Sequence, residues 1–398
     1  MNHTVLATVF ACFVSLAPHP GLLAADKIRV LIIDGQNNHD WIQTTRATRS
    51  TLVATGRFIV DVTTAPGPSA TTVDWQSWRP RFSDYAAVLN NYSGDPWPEA
   101  VKQSFAAYVA GGGGFVGVHA ANNPFVDWKE YNEIIGLGWR AADFGRRVMI
   151  DDATGAISFE PPGGTPAGHG RRHPFLVTVR APEHPIMKGF PKRWLHGKDE
   201  LYHAQRGPNV ELNILSTAFS AKESGGSGDH EPTTWTTRYG KGRAVTTVLG
   251  HFWREQKDIE SLHCVGFQTV LVRSMEWAAT GEVTISIPVS FPTADAISLQ
   301  DPTKLSWELA SAPQFRAGSC CDRAHKGGGS CQHPCCVAWL QHGVACPKCN
   351  AGLVPAAGIL FKAGGCCFTA LNKGGSCAHP CCVKATKAGA ICKNCNPG

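Results

Sequence analysis

Three histidines in this chain each follow directly on a short apolar run: His39 in "VLIIDGQNNH", His119 in "GGGGFVGVH" and His251 in "AVTTVLGH". Imidazole exchanges protons near neutral pH, and as a neutral ring it binds divalent metals. Three such rings at one place would supply acid–base chemistry or a metal centre. The carboxylate pair Asp199–Glu200 in "KDELYH" could complete either. Neighbouring residues of a strand point to opposite faces, so only one of the pair is expected inside the site. Glu200 is favoured there, with Asp199 as its brace. The expected catalytic set is therefore His119, Glu200 and His39. The expected metal ligands are His39, His119 and His251, with zinc the best suited ion. Asn38, Trp41, Trp128, His184, Asp199, Tyr202 and His251 are the candidate substrate contacts. Among them the tryptophans, like Trp139, offer flat faces that suit sugar stacking, although each is also an ordinary core residue.

These residues need elements to bring them together. Residues 27–280 alternate strand and helix: "KIRVLII", then a helix over "DWIQTTRATRSTLVATG", strands over "RFIVDVTTA" and "YAAVLNNY", a helix over "PEAVKQSFAAYVAGGG", and the strand "FVGVHA". Such alternation implies a parallel sheet with right-handed crossovers. In such sheets the ligand crevice lies beyond the carboxyl ends of the strands, where His39, His119 and His251 are all expected. Later segments read as the strands "FLVTVR" and "LNILSTAF", a hairpin turning at residues 239–242, and a closing helix over "DIESLHCVGFQTVLVRSMEWAAT". Lys241 and Arg243 then belong to a hairpin turn rather than to an anion site.

Several function classes are disfavoured. "GGGG" before the histidine strand lacks the lysine and hydroxyl of a phosphate loop, so no nucleotide cofactor is expected. The net charge of +6 comes from the end of the chain. From Arg316 onward there are seven Lys, two Arg and one Asp, a sum of +8, leaving about −2 for everything before it. Aromatics in that basic tail are too sparse for a base-stacking platform, so nucleic acid is not an expected partner. No stretch after the N-terminus is long and apolar enough to span a bilayer. Residues 1–25, with an apolar core at 4–18 and "HPGLLAA" after it, read as a signal peptide of a secreted or periplasmic protein.

Cysteine divides the chain. Of 16 Cys, only Cys12 and Cys264 precede residue 320. Cys264 is expected to be a small buried apolar residue. The other 14 form two copies of one unit, each cysteine of the second lying 46 residues after its counterpart: Cys320, Cys321, Cys331, Cys335, Cys336, Cys346, Cys349, and Cys366, Cys367, Cys377, Cys381, Cys382, Cys392, Cys395. Modules this small need covalent or metal staples. An oxidising compartment favours disulfides, yet seven per copy leaves one thiol over. Zinc-like spacing points instead to Cys331, His333, Cys346 and Cys349, and to Cys377, His379, Cys392 and Cys395. Both staples stay open at this stage. The expected organisation is a main domain over 26–282, a terminal strand and linker over 283–318, and repeats over 319–350 and 365–398.

Together, "GGGGFVGVHAANN", "EHPIMKGFP", "GKDELYHAQRG" and "WTTRYGKGRAVTTVLGH" resemble the ThuA-like (trehalose-utilisation) family of the class I glutamine-amidotransferase-like superfamily. The resemblance covers roughly residues 27–280. It implies a flavodoxin-like three-layer α/β sandwich with a mostly parallel sheet, and a role in sugar catabolism on disaccharides oxidised to keto-sugars. Amidotransferases of the superfamily carry a cysteine at the turn where this chain has Gly117-Val118-His119-Ala120-Ala121, so glutamine hydrolysis through a thioester is not expected. The function expected is isomerisation or hydrolysis of a sugar or keto-disaccharide. The alternative is a non-catalytic carbohydrate-binding protein whose cysteine-rich tail binds metal or attaches to a surface.

Overall fold

The computed structural model describes residues 27–208, 211–305, 307, 316, 318–326, 331–340, 346, 348–349, 366–373, 375, 377–387, 392 and 395. The expected signal peptide lies outside the described residues, as do residues 350, 365 and 398, three of the expected repeat limits.

The first half of the main domain is β1 (Ile28–Asp34), α1 (Trp41–Ala54), β2 (Phe58–Thr64), α2 (Thr72–Ser77), β3 (Ala87–Asn90), α3 (Glu99–Ala110), β4 (Gly114–Val118) and α4 (Lys129–Ile135). There follow β5 (Arg146–Ile150), β6 (Ile157–Glu160), β7 (Gly168–His169), β8 (His173–Val179), β9 (Arg193–Asp199), β10 (Tyr202–His203), β11 (Arg206–Gly207), β12 (Asn213–Phe219), β13 (His230–Tyr239) and β14 (Gly242–Thr247). Helices α5 (Glu260–His263) and α6 (Val265–Thr280) close the domain. The main sheet runs β2-β1-β3-β4-β14-β13-β12-β8-β9. Its first five strands are parallel, and the hairpin β13–β14 turns the rest antiparallel.

Strand β1 shows why three layers form. Its residues alternate between two cores. Val30 and Ile32 pack with Leu52 of α1 and Val270 and Leu271 of α6. Leu31 and Ile33 pack with Phe105 of α3 and Tyr131 of α4. A strand buried on both faces reads as a continuous apolar run, as "RVLII" does. Helix α1 starts where Asp40 accepts from the Gln43 amide at 3.0 Å, a side-chain cap for an otherwise orphaned donor.

Two expectations change. The closing helix is broken at Cys264, which is extended (φ −63°, ψ 117°). Cys264 bridges to Leu299, and the Val265 amide donates to the Ser298 carbonyl, so a later segment takes hydrogen bonds that a continuous helix would use. Cys264 is fully buried. The expected terminal strand after residue 282 is not a ladder strand among the described residues. The Glu276 carboxylate instead accepts from the Thr284 and Ile285 amides at 2.7 and 2.9 Å and holds that segment against α6.

In the tail, each repeat contributes two short helices: α7 (Cys320–Lys326) and α8 (Pro334–Leu340), then α9 (Cys366–Asn372) and α10 (Pro380–Lys387). The buried centre of each repeat is made mainly of cysteine. Trp339 of the first repeat packs edge-on against Phe368 of the second, with ring centroids 5.4 Å apart. No helix among the described residues is long and apolar enough to cross a membrane.

Candidate active site

The carboxyl ends of β1, β4 and β14 deliver one histidine each. His39 lies in the loop between β1 and α1, His119 follows β4, and His251 lies four residues past the end of β14. Glu200 arrives from the end of β9. The three rings meet edge to face, with centroids 4.8 Å (His39–His119), 4.9 Å (His39–His251) and 5.1 Å (His119–His251) apart. Glu200 places Oε2 3.6 Å from His119 Nε2 and Oε1 3.6 Å from His251 Nε2. One ligand atom from each of the four residues lies within 4.8 Å of the others, and all four residues are buried. His119 takes a left-handed backbone, φ 47°, which is uncommon for a residue other than Gly, with Asn, Asp and His the types that adopt it most readily. This turn aims the ring back across the strand end instead of along it.

Hydrogen bonds outside the cluster fix two of the rings. His119 Nδ1 donates to the Val248 carbonyl at 2.6 Å. His39 Nδ1 donates to Asn37 Oδ1 at 3.1 Å and Asn38 Oδ1 at 3.0 Å. Both rings therefore carry their lone pair on Nε2, as metal-ligating histidines held by an outer partner do. The Tyr202 hydroxyl, 3.0 Å from His119 Nε2, donates to that lone pair. His251 Nδ1 is buried without a partner.

The electrostatics keep His39 and His251 neutral. Burial, then the neighbouring His119 and His251, hold the His39 pKa far below its usual value. Burial, followed by His119, brings His251 down to about 4. Burial alone would raise Glu200, but the facing His119, then His251 and His169, hold it below the ordinary value. Burial, reinforced by the Glu200 charge, raises Tyr202 well above the usual phenol range, so its proton stays on. The result is a buried carboxylate facing a cluster of imidazoles, the donor set a divalent cation of the zinc type takes.

Asp199 stands behind this cluster. Its carboxylate accepts from His196 Nε2 at 2.7 Å, the Gly250 amide at 2.8 Å, the His251 amide at 3.1 Å and the Glu200 amide at 2.8 Å. Burial opposes charge on both members of the His196–Asp199 pair. For His196 the Cys264 thiol and Asp199 outweigh burial and push its pKa up to about 10; His196 in turn holds Asp199 at about 2. Asp199 thus ties the end of β9 to the loop after β14. With four donors on its two oxygens and no exposure, it braces the site and does not reach substrate, which corrects its place among the candidate substrate contacts.

Other expected contacts scatter. Trp128 is buried in the layer beneath the sheet, stacked on Tyr131 with centroids 5.3 Å apart. It is a core residue because the turn before α4 folds inward. His184 packs on Trp277 of α6 at 4.8 Å, where its Nδ1 accepts from the Ile186 amide at 3.2 Å and shapes a loop. Trp41 is half-buried in the first turn of α1, its carbonyl accepting from Asn91 at 3.0 Å. Asn38 is exposed and orients His39.

Two residues that sequence reasoning missed complete the rim. His169 places Nδ1 3.2 Å from Glu200 Oε1 and 2.7 Å from the Gly170 carbonyl. It comes from "GGTPAGHGRRH", a loop with no periodicity to place it. Trp253 lies parallel to His251 at 6.2 Å and edge-on to His39 at 5.0 Å, with 42% of its surface exposed. Its position two residues after His251 was the available signal. Trp139, half-buried, packs on Tyr202 at 4.7 Å and on His169 at 5.6 Å.

The tail holds a second set of donors. The described groups are Cys320, Cys331, His333 and Cys336; Cys335, Cys336, Cys346 and Cys349; Cys366, Cys367, Cys377 and Cys382; and Cys381, Cys382, Cys392 and Cys395. The expected sets thereby divide. Cys331 belongs to one group of its repeat and Cys346 and Cys349 to the other, as Cys377 does against Cys392 and Cys395. His333 joins a group, while His379 is exposed and belongs to neither of the two groups named for its repeat. The reason is the adjacent pair Cys335–Cys336, or Cys381–Cys382, which opens α8 or α10 and serves both groups.

Comparison with known proteins follows this geometry. The family model described as ThuA, trehalose utilisation, matches residues 29–278. A ThuA-like protein of Parabacteroides merdae, known from its crystal structure, is 39% identical, with a TM-score of 0.67 over 70% of this chain and 99% of its own. Another, from Bacteroides uniformis, is 19% identical, with a TM-score of 0.43 over 66% of this chain and 95% of its own. No curated protein matches the chain.

Proposed function

Because the chain belongs to the ThuA, trehalose-utilisation family, we propose that it is a secreted enzyme that binds a divalent metal, zinc the best fit, and isomerises or hydrolyses a keto-disaccharide. One observation carries this reading. Three imidazoles and one carboxylate converge in a buried cluster, and outer hydrogen bonds turn the Nε2 atoms of His39 and His119 inward. A divalent ion bound there would polarise a sugar carbonyl or acidify a water.

The chain's own groups supply the rest. His39, His119 and His251 hold the centre, and Glu200 adds the negative charge that a cation needs. Tyr202, kept protonated, offers a proton at its hydroxyl beside His119 Nε2. His169 faces Glu200 from the exposed side, with Nδ1 as the donor between the Gly170 carbonyl and the carboxylate. Trp253 and Trp139 present flat faces at the rim for a sugar ring. The apolar segment 4–18 and the small residues after it support secretion, which N-terminal sequencing of the exported protein would test.

The 3.0 Å bond from Tyr202 to His119 favours a second reading, in which the two form an acid–base couple without metal. The deciding experiment loads the intact protein with Co²⁺ and assays keto-disaccharides before and after metal removal. A nitrogen- and oxygen-ligated cobalt band that is lost in His119→Asn, with turnover that needs metal, supports the metal-assisted reading. Turnover that survives complete metal removal establishes the acid–base couple instead. Sugar binding without turnover in either state leaves a binding protein.

A further inference from the structure

We propose that each cysteine repeat holds two divalent metal ions of the zinc class, joined by one bridging thiolate: Cys336 in the first copy and Cys382 in the second. The number of cysteines in each repeat is odd. Two four-coordinate ions that share one ligand need seven donors, and each repeat has seven cysteines. In the second repeat the two described groups are all cysteine, use all seven, and have Cys382 alone in common. In the first repeat the two groups likewise meet at Cys336. There Cys321, the counterpart of Cys367, stands 3.4 Å from Cys336, as Cys367 stands 3.4 Å from Cys382. Cys321 thus completes the first site, and exposed His333 is dispensable.

The spacing fits. Sulfurs at about 2.3 Å from a tetrahedral zinc lie roughly 3.8 Å from one another. From Cys336 to Cys320, Cys335 and Cys349 the separations are 3.9, 3.9 and 3.5 Å. From Cys382 to Cys366 and Cys381 they are 3.6 and 3.9 Å. A disulfide would need about 2.05 Å. The shared cysteines are buried: Cys336 fully, and Cys382 with 2% exposed.

Charge agrees. Seven thiolates around two divalent ions carry a formal charge of about −3, so two clusters carry about −6. The tail's excess of +8 lies on the same segment. Its lysines and arginines are thereby accounted for as compensation for buried thiolates, with no polyanionic partner required.

The test uses the full-length protein, reduced and loaded with ¹¹³Cd²⁺. Four sulfur-bound ions per chain are expected, their resonances falling into two pairs, each showing cadmium–cadmium coupling through the shared sulfur. Cys336→Ser should abolish the coupling of one pair and weaken both of its ions, leaving the other pair intact. Cys321→Ser should cost one ion, and His333→Ala none. One sulfur-bound ion per repeat would overturn the proposal. So would uncoupled resonances in the unaltered protein, or a tail isolated as disulfides that takes up no metal after reduction.

Discussion

His39, His119, Glu200 and His251 span more than half of the chain and meet only because a twelve-strand sheet brings their loops together. The fourteen tail cysteines lie within two short repeats, and little else is buried beside them. In the first region an apolar core exists independently of any ion, and the site is placed on it. In the second, among the described residues, the cysteines that would hold metal are themselves the core. A donor cluster on a folded scaffold can lose its ion and keep its shape, whereas a donor cluster that replaces a core cannot. Short modules follow the second course because their surface-to-volume ratio leaves too little apolar area to bury.

The largest expected effect breaks the comparison directly. Stripping metal from the full chain with a strong chelator should unfold the tail, since structural zinc supplies about 10 kcal/mol or more to folding in small modules. Alkylation should then label all fourteen tail thiols, while buried Cys264 stays protected until the sheet domain melts. Equal protection of the tail after chelation would show that it has a core of its own.

Next comes the brace. Asp199→Asn leaves His196 without its counter-charge and weakens the tie between β9 and the loop after β14. Breaking a buried pair this way costs about 3–5 kcal/mol, read by denaturant unfolding, with sulfur-bound metal unchanged. His119→Asn should act oppositely: Asn accepts a left-handed backbone, so stability holds while turnover falls by about 10²–10⁴.

Acid should weaken the sheet domain through its buried neutral imidazole. In the metal-free sheet domain His251 titrates at about 4 when folded and near 6.5 when unfolded. Between those values the unfolded chain binds more protons, so stability is full above about 6.5 and falls as pH drops through 4. At about 1.4 kcal/mol per unit, His251 alone accounts for about 3 kcal/mol. A melting temperature flat from pH 7 to 4 would contradict its burial as a neutral ring. Smallest is the rim: Trp253→Ala should raise KM several-fold and change stability by about 0.5 kcal/mol or less, whereas Trp128→Ala should cost about 3–5 kcal/mol.

Local pattern made much of this legible. The parallel strands, the β13–β14 hairpin and the three strand-end histidines follow from apolar runs and their boundaries. That only one of Asp199 and Glu200 faces the cluster follows from strand alternation, with Asp199 the expected brace. What stayed hidden depends on tertiary contacts. His169 comes from a glycine-rich segment, and the partners through which Asp199 braces the site, His196 and the Gly250 and His251 amides, show only in the fold. Trp128 looks the same in sequence whether it stacks on a sugar or on Tyr131. The break at Cys264 is made by Ser298 and Leu299, more than thirty residues away. Cysteine spacing revealed the duplication, while the double use of Cys336 needed the helix that presents two neighbouring thiols to two groups.

The contact of Trp339 with Phe368 bears on how such an array can grow. The position equivalent to Trp339 in the second repeat is Ala385, and the position equivalent to Phe368 in the first is Asp322. The ring-on-ring joint therefore exists once: the first unit offers a socket forward and an acid backward, and the second offers a methyl forward. Stacked-repeat proteins commonly end in units whose outer faces have lost the joining residues. By that measure the aromatic joint links the two copies to each other, and neither copy repeats it on its other face.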